Sequence, residues 1–371
     1  MKNGRSVLLL VPNFNQIGGV SNYYKNLQLD LHPHIDYFFV NAGAQTGLIN
    51  KLFIASGIYL RFLGKLLSAR YSIVHVNPSL NRNSFYRDAY FIFFAALLKK
   101  KVIIFFRGWE DEFEESIKKS WFKRAIFSRS YASCSNFIVL GNVFKQKLLR
   151  LGVDKRAVFH LETTLADDRF LEKLDLSEKL SSYDKELVLL FIARIERSKG
   201  VFIAVDTFIA ARKMLVDRRV QLIIAGDGPD LLEVKEYIKS KGEANIHCIG
   251  SVGGEEKAQV LIRSHILFLP TYYGEGMPNS ILEGMLYAMP VISRINAAIP
   301  DVVLHKVNGY ITSSLAYEDF VPYVVNLATD KVVYNKMSLV NHNTAKQRFV
   351  RHKVSERLLK IYADVELNRN T

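Results

Sequence analysis

Short apolar runs alternate with helix-like stretches along the whole chain, and this alternation starts twice. Short buried strands that alternate with helices are typical of parallel sheets covered by helices on both faces. The sequence therefore predicts an α/β protein with two such domains, at residues 1–170 and 171–349, on either side of a polar, irregular stretch over 163–186. A basic helix pattern over 344–365 follows the last strand. The predicted strands are 7–11, 37–40, 73–76, 102–106 and 137–140 in the first domain, and 187–193, 221–225, 246–249, 266–269 and 290–293 in the second.

Length and composition exclude several classes of protein. A chain of 371 residues, 49% of them apolar, is long enough for two domains and too apolar for a disordered protein. The longest apolar run, which contains Tyr90–Leu98, is about half of the ~18–20 residues that span a membrane. The run Val7–Val11 ends at Pro12 and is too short for a signal peptide. Cys134 and Cys248 have no disulfide or zinc pattern around them. We therefore expect a cytoplasmic protein.

Positive charge is concentrated in the first half of the chain. Lys and Arg outnumber Asp and Glu by 50 to 36 overall, and by 24 to 12 within residues 1–170. A basic half indicates an anionic partner, which is nucleic acid, phospholipid headgroups or a phosphorylated substrate. Basic and large apolar residues interleave over 59–67 and 118–129. If the second stretch is a helix, one side of it carries Trp121, Phe122, Ala125 and Ile126. This pattern suits an anionic membrane surface, and it fits equally a core-facing helix with a solvated basic back.

Candidate functional residues follow the predicted strands, because open parallel sheets bind ligands at the carboxyl ends of their strands. Gly18 and Gly19 follow the first strand and open a helix, which suits an anion at the backbone or simply a tight turn. Arg194 and Lys199 follow the first strand of the second domain. Two cations at this place suit a diphosphate, and they are equally compatible with two solvated surface charges.

The loop and helix over residues 270–285 give the strongest signal. A Gly-rich loop follows a strand and leads into a helix, so the backbone amides of 276–280 can hold a pyrophosphate. Glu275 precedes the helix and Glu283 lies two turns into it, so the two carboxylates can reach opposite ends of one ligand, and a carboxylate can pair with two hydroxyls of a sugar. One can therefore hold a ribose and the other a hexose. The alternative, a solvent-facing Glu283, fits poorly with its apolar neighbours. The turn over 226–229 adds room for a flat ring, or is only a turn.

The residues from Glu275 to Glu283 resemble the E-x7-E motif of retaining glycosyltransferases of family 4, which have the GT-B fold. The run that follows, through Asn308-Gly309-Tyr310, and the loops at Gly18, Arg194 and Gly226 match this family in the same order. The resemblance spans nearly the whole chain. It implies two Rossmann-like parallel-sheet domains that face each other across a cleft, with a C-terminal helix, about residues 350–371, that returns to the first domain.

The resemblance also implies roles for individual residues. The donor would be a nucleotide-diphosphate sugar bound mainly by the second domain, with Arg194 and Lys199 on the diphosphate and Glu283 on the ribose. Glu275 would meet the sugar. Cations and helix dipoles can stabilise the leaving diphosphate, so no metal or other cofactor is expected. The remaining predicted donor-binding residues are Gly18, Gly19, Gly226, Gly228, Gly276, Met277, Pro278, Asn279 and Ser280.

Arg107 departs from the family pattern. Family members usually carry His-Gly after the corresponding strand, with the His near the transferred sugar, whereas this chain has Phe106-Arg107-Gly108. An Arg can be neither a neutral acceptor nor a base. We predict that Arg107 belongs to the catalytic site, where it contacts the sugar, a diphosphate or an anionic acceptor, or marks a different choice of donor.

The resulting hypothesis is a retaining hexosyltransferase that is peripheral on the inner face of the membrane and bound to its anionic surface. It would extend a bacterial surface polysaccharide, such as O-antigen, capsule or exopolysaccharide, on a lipid-linked oligosaccharide acceptor. Two alternatives stay open. The departure at Arg107 suits a GT-B scaffold that binds nucleotide sugar or glycan without turnover. The basic first half suits a nucleic-acid-binding α/β protein, which leaves Glu275 and Glu283 unexplained, so we expect no nucleic-acid partner.

Overall fold

The computed structural model describes residues 6–15, 18–41, 48–274 and 276–367, and for residues 48–55 it describes the backbone alone. The chain divides into two units. The first unit comprises Met1–Thr163 together with Arg351–Thr371, and the second comprises Thr164–Val350. The sequence prediction had placed this boundary at 170/171 and the C-terminal helix with the first domain.

The first unit contains a parallel sheet with the strand order β2-β1-β3-β5-β7-β8. Strand β1, which lies between β2 and β3, is buried along its whole length, which is why its sequence is almost entirely apolar. A separate parallel pair, β4 with β6, fixes the segment that follows β5. The strands are β1 (Ser6–Val11), β2 (Ile35–Phe39), β3 (Tyr71–Val76), β4 (Ser79–Leu80), β5 (Lys101–Phe105), β6 (Gly108–Trp109), β7 (Asn136–Val139) and β8 (Val158–Leu161). The helices between them are α1 (Gly19–Leu27), α2 (Leu48–Leu67), α3 (Arg82–Leu97), α4 (Asp111–Lys119), α5 (Trp121–Arg129) and α6 (Asn142–Arg150).

The second unit repeats this plan with the strand order β11-β10-β9-β12-β13-β14, again with parallel neighbours. The predicted α/β class and the two parallel sheets are therefore confirmed. The strands are β9 (Leu187–Ile192), β10 (Val220–Ala225), β11 (Ile246–Gly250), β12 (Ile266–Leu269), β13 (Val291–Arg294) and β14 (Gly309–Thr312). The helices are α7 (Leu176–Ser182), α8 (Val201–Met214), α9 (Leu231–Lys241), α10 (Gly254–Arg263), α11 (Asn279–Leu286), α12 (Val321–Thr329) and α13 (Lys331–Arg348).

Helix α7 corrects the prediction that residues 163–186 are irregular. Asp175 caps its start by accepting a hydrogen bond from the backbone N–H of Glu178 at 3.0 Å. The ammonium of Lys179 is buried and donates to the carbonyls of Leu261, Ile262 and Ser264 at 2.7, 3.0 and 2.5 Å. This polar segment is helical because it satisfies the carbonyls at the end of α10, a contact that its own composition does not reveal.

The single basic helix predicted over 344–365 is two helices in the structure. Helix α13 ends at Arg348, Phe349 and Val350 are not helical, and a new helix, α14 (Arg351–Leu367), then begins. Helix α14 belongs to the first unit, as the resemblance implied. The Tyr362 hydroxyl lies 2.7 Å from Nδ1 of His75 on β3, and Lys101 Nζ donates to the carbonyl of Val365 at 2.7 Å. Within the described residues, no helix combines the length and the apolar character that crossing a membrane requires.

Candidate functional site

A pocket of about 310 Å³ lies at the carboxyl ends of β9, β10 and β11 in the second unit. Arg194 follows β9, Gly226 follows β10 and Glu283 comes from α11, and all three line this pocket. The resemblance to family 4 assigns these three residues to one ligand, the nucleotide sugar. Asp227, Ser251, Val252 and Lys257 also line it.

Two glycines bring the turn after β10 against the loop after β9. Gly226 has a φ of +144°, and a Cβ there would lie 1.9 Å from the carbonyl oxygen of Ala193. A Cβ at Gly228 would lie 2.3 Å from the carbonyl oxygen of Ile195. Both positions therefore require glycine for the close approach of two backbones. Gly226 lines the pocket, whereas Gly228 does not line it and packs against the backbone of the loop after β9.

Glu283 is buried, with 7% of its surface exposed, and it is paired. Lys257 on α10 places its Nζ 2.8 Å from Oε1 of Glu283 and 3.4 Å from Oδ2 of Asp167. Arg169 holds the same Asp167 carboxylate with two bonds of 2.8 and 2.7 Å. The solvent-facing alternative for Glu283 is therefore wrong, because the side chain lies in a network of two carboxylates and two cations.

The environment shifts the pKa values of this network in directions that follow from burial and charge. Burial raises the pKa of Glu283, and the ammonium of Lys257 opposes that shift. Burial opposes ionisation of Asp167 too, but the hydrogen bonds from Arg169 hold its pKa at about 2. An ionised Glu283 can accept hydrogen bonds from two neighbouring hydroxyls, which is the chemistry needed to hold a ribose.

Lys199 and Arg194 occupy different environments on the loop after β9. Arg194 is largely exposed and pairs with Glu196 at 2.8 Å. Lys199 is 9% exposed, its Nζ lies 3.9 Å from the ring centroid of Tyr273, and burial lowers its pKa to about 8. The backbone N–H of Tyr272 donates to the carbonyl of Ser198 at 2.9 Å, which joins this loop to the one before α11. Both predicted cations thus lie on loops that border the strand ends.

The start of α11 provides backbone amides in the same unit. The helix begins at Asn279 with Pro278 at its N-cap, and Asn279 and Ser280 form its first turn. Gly276 and Met277, like Pro278, are buried. Unpaired N–H groups at a helix start attract negative charge. Glu275, predicted to be catalytic, lies outside the described residues, so its role stays a prediction.

The other predicted residues lie in the first unit. Gly18 precedes α1 and Gly19 is its first residue. A Cβ at Gly19 would meet nothing within 4 Å, so its backbone is open to a ligand. Their predicted role in binding the donor stays a prediction.

Arg107 lies between two aromatic rings after β5. Its guanidinium carbon is 4.0 Å from the ring centroid of Tyr23 and 4.3 Å from that of Phe105. Its Nε and Nη1 are buried without a hydrogen-bond partner among the described residues. The cation and burial together lower the pKa of nearby His75 to about 3, burial being the larger cause. Arg107 is thus held by ring faces, with donors left for a ligand group.

Lys257 and Asp167 were missed by sequence reasoning. Lys257 lies on a helix without a motif and pairs with a residue 26 positions later. Asp167 falls in the stretch that the sequence analysis treated as an irregular linker. The nearest signal was the buried context of Glu283, since a buried carboxylate requires a partner. Within the described residues, no group of three or more His, Cys, Asp or Glu side chains could hold a metal ion.

The second unit also matches a known family. Residues 172–347 match the family model described as glycosyl transferases group 1. This segment contains every residue that lines the pocket, from Ile192 to Glu283. Asp167 lies just before it.

Curated relatives match about half of the chain at low identity. A 2-deoxystreptamine N-acetyl-D-glucosaminyltransferase of Niallia circulans is 24% identical over 181 residues, which are 48% of this chain and 45% of that protein. The amylovoran biosynthesis glycosyltransferase of Erwinia amylovora is 22% identical over 193 residues, 50% of this chain and 45% of that protein. The chain spans about half the length of the curated relatives it matches.

Solved structures resemble the chain over nearly its full length. The structure of HepE from Anabaena in complex with UDP has a TM-score of 0.74 at 13% identity, and the match covers 97% of this chain and 100% of that chain. Likeness at this identity concerns the fold alone. The fold is GT-B, as the sequence predicted.

Proposed function

We propose that the chain is a retaining glycosyltransferase that moves a hexose from a nucleotide-diphosphate sugar to a lipid-linked glycan acceptor. The observation that carries this proposal is the convergence of Arg194, Gly226 and Glu283 on one pocket at the carboxyl ends of the second sheet. The family match covers that pocket, and HepE, which has a similar fold, was solved with UDP.

The donor would bind with its ribose on Glu283 and its diphosphate near Arg194 and Lys199. Departure of the nucleoside diphosphate leaves positive charge on the anomeric carbon and negative charge on the diphosphate. The two cations and the amides at the start of α11 would stabilise that negative charge without a metal. Turnover should therefore persist in the presence of a chelator.

Retention of configuration requires the acceptor hydroxyl to attack from the face that the diphosphate leaves. The acceptor proton passes to an oxygen of the departing phosphate, so no protein nucleophile is needed. Glu275 would contact the transferred sugar. Arg107 would supply donors to a sugar, diphosphate or acceptor group, since its Nε and Nη1 have no partner among the described residues.

Association with an anionic membrane surface is part of the proposal and is supported by α5. Trp121 and Phe122 at its start are 75% and 53% exposed, so this apolar side is not directed into the core. Lys119, Lys123 and Arg124 lie beside these rings in the sequence. Exposed aromatic rings with a basic border suit an anionic bilayer. A relative that makes amylovoran supports a role in bacterial surface polysaccharide, such as O-antigen, capsule or exopolysaccharide.

The test is a transfer assay in which candidate nucleotide sugars are incubated with the chain and lipid-linked acceptors, and NMR gives the anomeric configuration of the product. The proposal predicts a product with the same anomeric configuration as the donor, formed equally well with a chelator. An inverted product would contradict the retaining mechanism. Binding of the nucleotide sugar without transfer to any acceptor would favour the scaffold that lacks turnover.

A further inference from the structure

A second, larger pocket of about 750 Å³ lies in the first unit, beside β2, the edge strand of its sheet. We call it the edge groove. Helix α2 forms its other side. The residues on which the argument depends are Asn13, Tyr37, Asn41, Arg61, Lys65 and Arg70, all of which line it.

The edge groove carries a surplus of positive charge. Arg61, Lys65 and Arg70 line it, and none of the described residues that line it is acidic. Asp36 lies on β2 but does not line the groove, and its carboxylate accepts hydrogen bonds from Tyr71 Oη at 2.5 Å and from Arg70 at 3.2 Å. Lys65 Nζ donates to the same Tyr71 Oη at 3.2 Å, so one carboxylate faces three cations and a net positive charge remains. The remaining charge of Arg61 and Lys65 suits a phosphate or diphosphate group.

The opposite end of the edge groove suits a sugar. Asn13 and Asn41 follow β1 and β2, and the N–H of Asn13 donates to Oδ1 of Asn41 at 2.7 Å. Tyr37 packs edge-on against Phe14, which also contacts Phe39. Amides beside aromatic rings are suited to the hydroxyls and the apolar face of a sugar ring. This end is at the carboxyl side of the sheet, where ligands of such sheets bind.

The two ends are separated along β2. Ile35–Phe39 is a five-residue strand, and a rise of about 3.3 Å per residue gives it a length of about 13 Å. Lys65 lies near the start of β2, because its Nζ donates to Tyr71 Oη, which in turn donates to Asp36, and Asn41 follows the end of the strand. The edge groove therefore fits an elongated ligand with an anion at one end and a sugar at the other. Its volume is in the range of pockets that hold small molecules, roughly 300–1,000 Å³.

We propose that the edge groove binds a saccharide linked to a phosphate or diphosphate ester, with the phosphate at Arg61 and Lys65 and the sugar near Asn13 and Asn41. This ligand is the acceptor of the proposed transfer, an assignment that rests on the proposed function. The phosphate ester is lipid-linked. Leu60 and Leu67, on the α2 segment that carries both cations, are 69% and 75% exposed and offer apolar surface beside them.

The test compares a double variant, Arg61→Gln with Lys65→Gln, with a matched control, Arg150→Gln with Lys155→Gln. The control removes two exposed cations of the same unit that do not line the edge groove. Geranyl diphosphate, inorganic pyrophosphate and geraniol are titrated calorimetrically into each protein. Loss of two cations should weaken the binding of geranyl diphosphate by about tenfold or more in the groove variant, and the control variant should bind it as the wild type does. Equal affinity in the groove variant and the control would overturn the proposal.

Selective acetylation of lysines, read by mass spectrometry, locates the bound anion and separates it from pyrophosphate held by the second unit. Geranyl diphosphate should protect Lys65 and leave Lys155 reactive, and geraniol should protect neither. Unprotected Lys65 would overturn the site. Stronger protection by geranyl diphosphate than by pyrophosphate supports the lipid-linked source, and equal protection contradicts it. Nucleotide binding is measured separately, so a failed donor site and a failed edge groove give different results.

Discussion

At the scale of single residues, the candidate donor site depends on how Glu283 is buried. Its apolar neighbours in the sequence predicted that burial, and the structure confirms it. The sequence could not predict its partner Lys257, or the Asp167 carboxylate that shares this ammonium, because both come close to Glu283 through tertiary packing and carry no motif. A motif in the sequence can thus identify a candidate ligand residue such as Glu283, whereas the residue that pairs with it has to be found in the structure.

Glu283→Gln should weaken binding of the donor nucleotide by about tenfold to a hundredfold, because a neutral amide replaces a charged hydrogen-bond acceptor and removes the shorter of the two ion pairs of Lys257. Calorimetric titration measures this, with Glu236→Gln on the exposed side of α9 as the control.

Glu275→Gln should lower turnover more than donor affinity. Unchanged values in both variants would contradict the assignment of the site.

The charge on Lys199 should make kcat/KM for the donor depend on pH. Burial lowers its pKa to about 8, so its charge is present below that pH and is lost as pH rises through it. The diphosphate stays ionised throughout, so kcat/KM for the donor should fall above pH 8. Lys199→Arg keeps its charge in this range, and its profile should stay level there. An identical fall in that variant would assign the titration to another group.

At the scale of elements, the strands were predictable and the polar helix α7 was not. Apolar runs such as 187–193 and 221–225 correspond closely to β9 and β10, because strands buried on both faces must be apolar throughout. Helix α7 has a polar sequence, and its burial depends on Lys179 reaching the end of α10. A composition-based prediction cannot contain that contact.

Lys179→Met should reduce the free energy of unfolding by about 2–3 kcal/mol, because three carbonyls lose a charged donor while the methionine retains much of the buried volume. Urea denaturation of the full chain measures this. Lys185→Met, an exposed position shortly after α7, provides the control and should leave stability nearly unchanged. Equal stability of the two variants would mean that water replaces the ammonium at the end of α10.

At the scale of the whole molecule, charge and exposed rings distinguish the two units. The surplus of Lys and Arg in residues 1–170 was visible in the sequence, but whether Trp121 and Phe122 face the core or the solvent was not. An amphipathic pattern fits both cases, and only the packing of α5 decides between them. The structure leaves both rings exposed, which makes the first unit the candidate for contact with a membrane.

Replacement of Trp121 and Phe122 by serine should lower binding to vesicles that contain phosphatidylglycerol by about tenfold or more, since both rings lose their apolar contact with lipid. Flotation on a density gradient measures the bound fraction. Met214→Ser with Val216→Ser, two exposed apolar residues of the second unit, is the matched control. High salt should also release the wild-type chain. Equal flotation of both double variants would exclude α5 as the contact.

The central claim is that the pocket of the second unit binds a nucleotide-diphosphate sugar. The most direct measurement is a thermal-shift panel with UDP, GDP, ADP, CMP and their common sugar conjugates, for the wild type and for Glu283→Gln. A ligand that binds only the native state raises the melting temperature. We predict that one nucleotide and its sugar conjugate raise it in the wild type, with a smaller rise in the variant. No rise with any nucleotide, or the same rise in both proteins, would contradict the account.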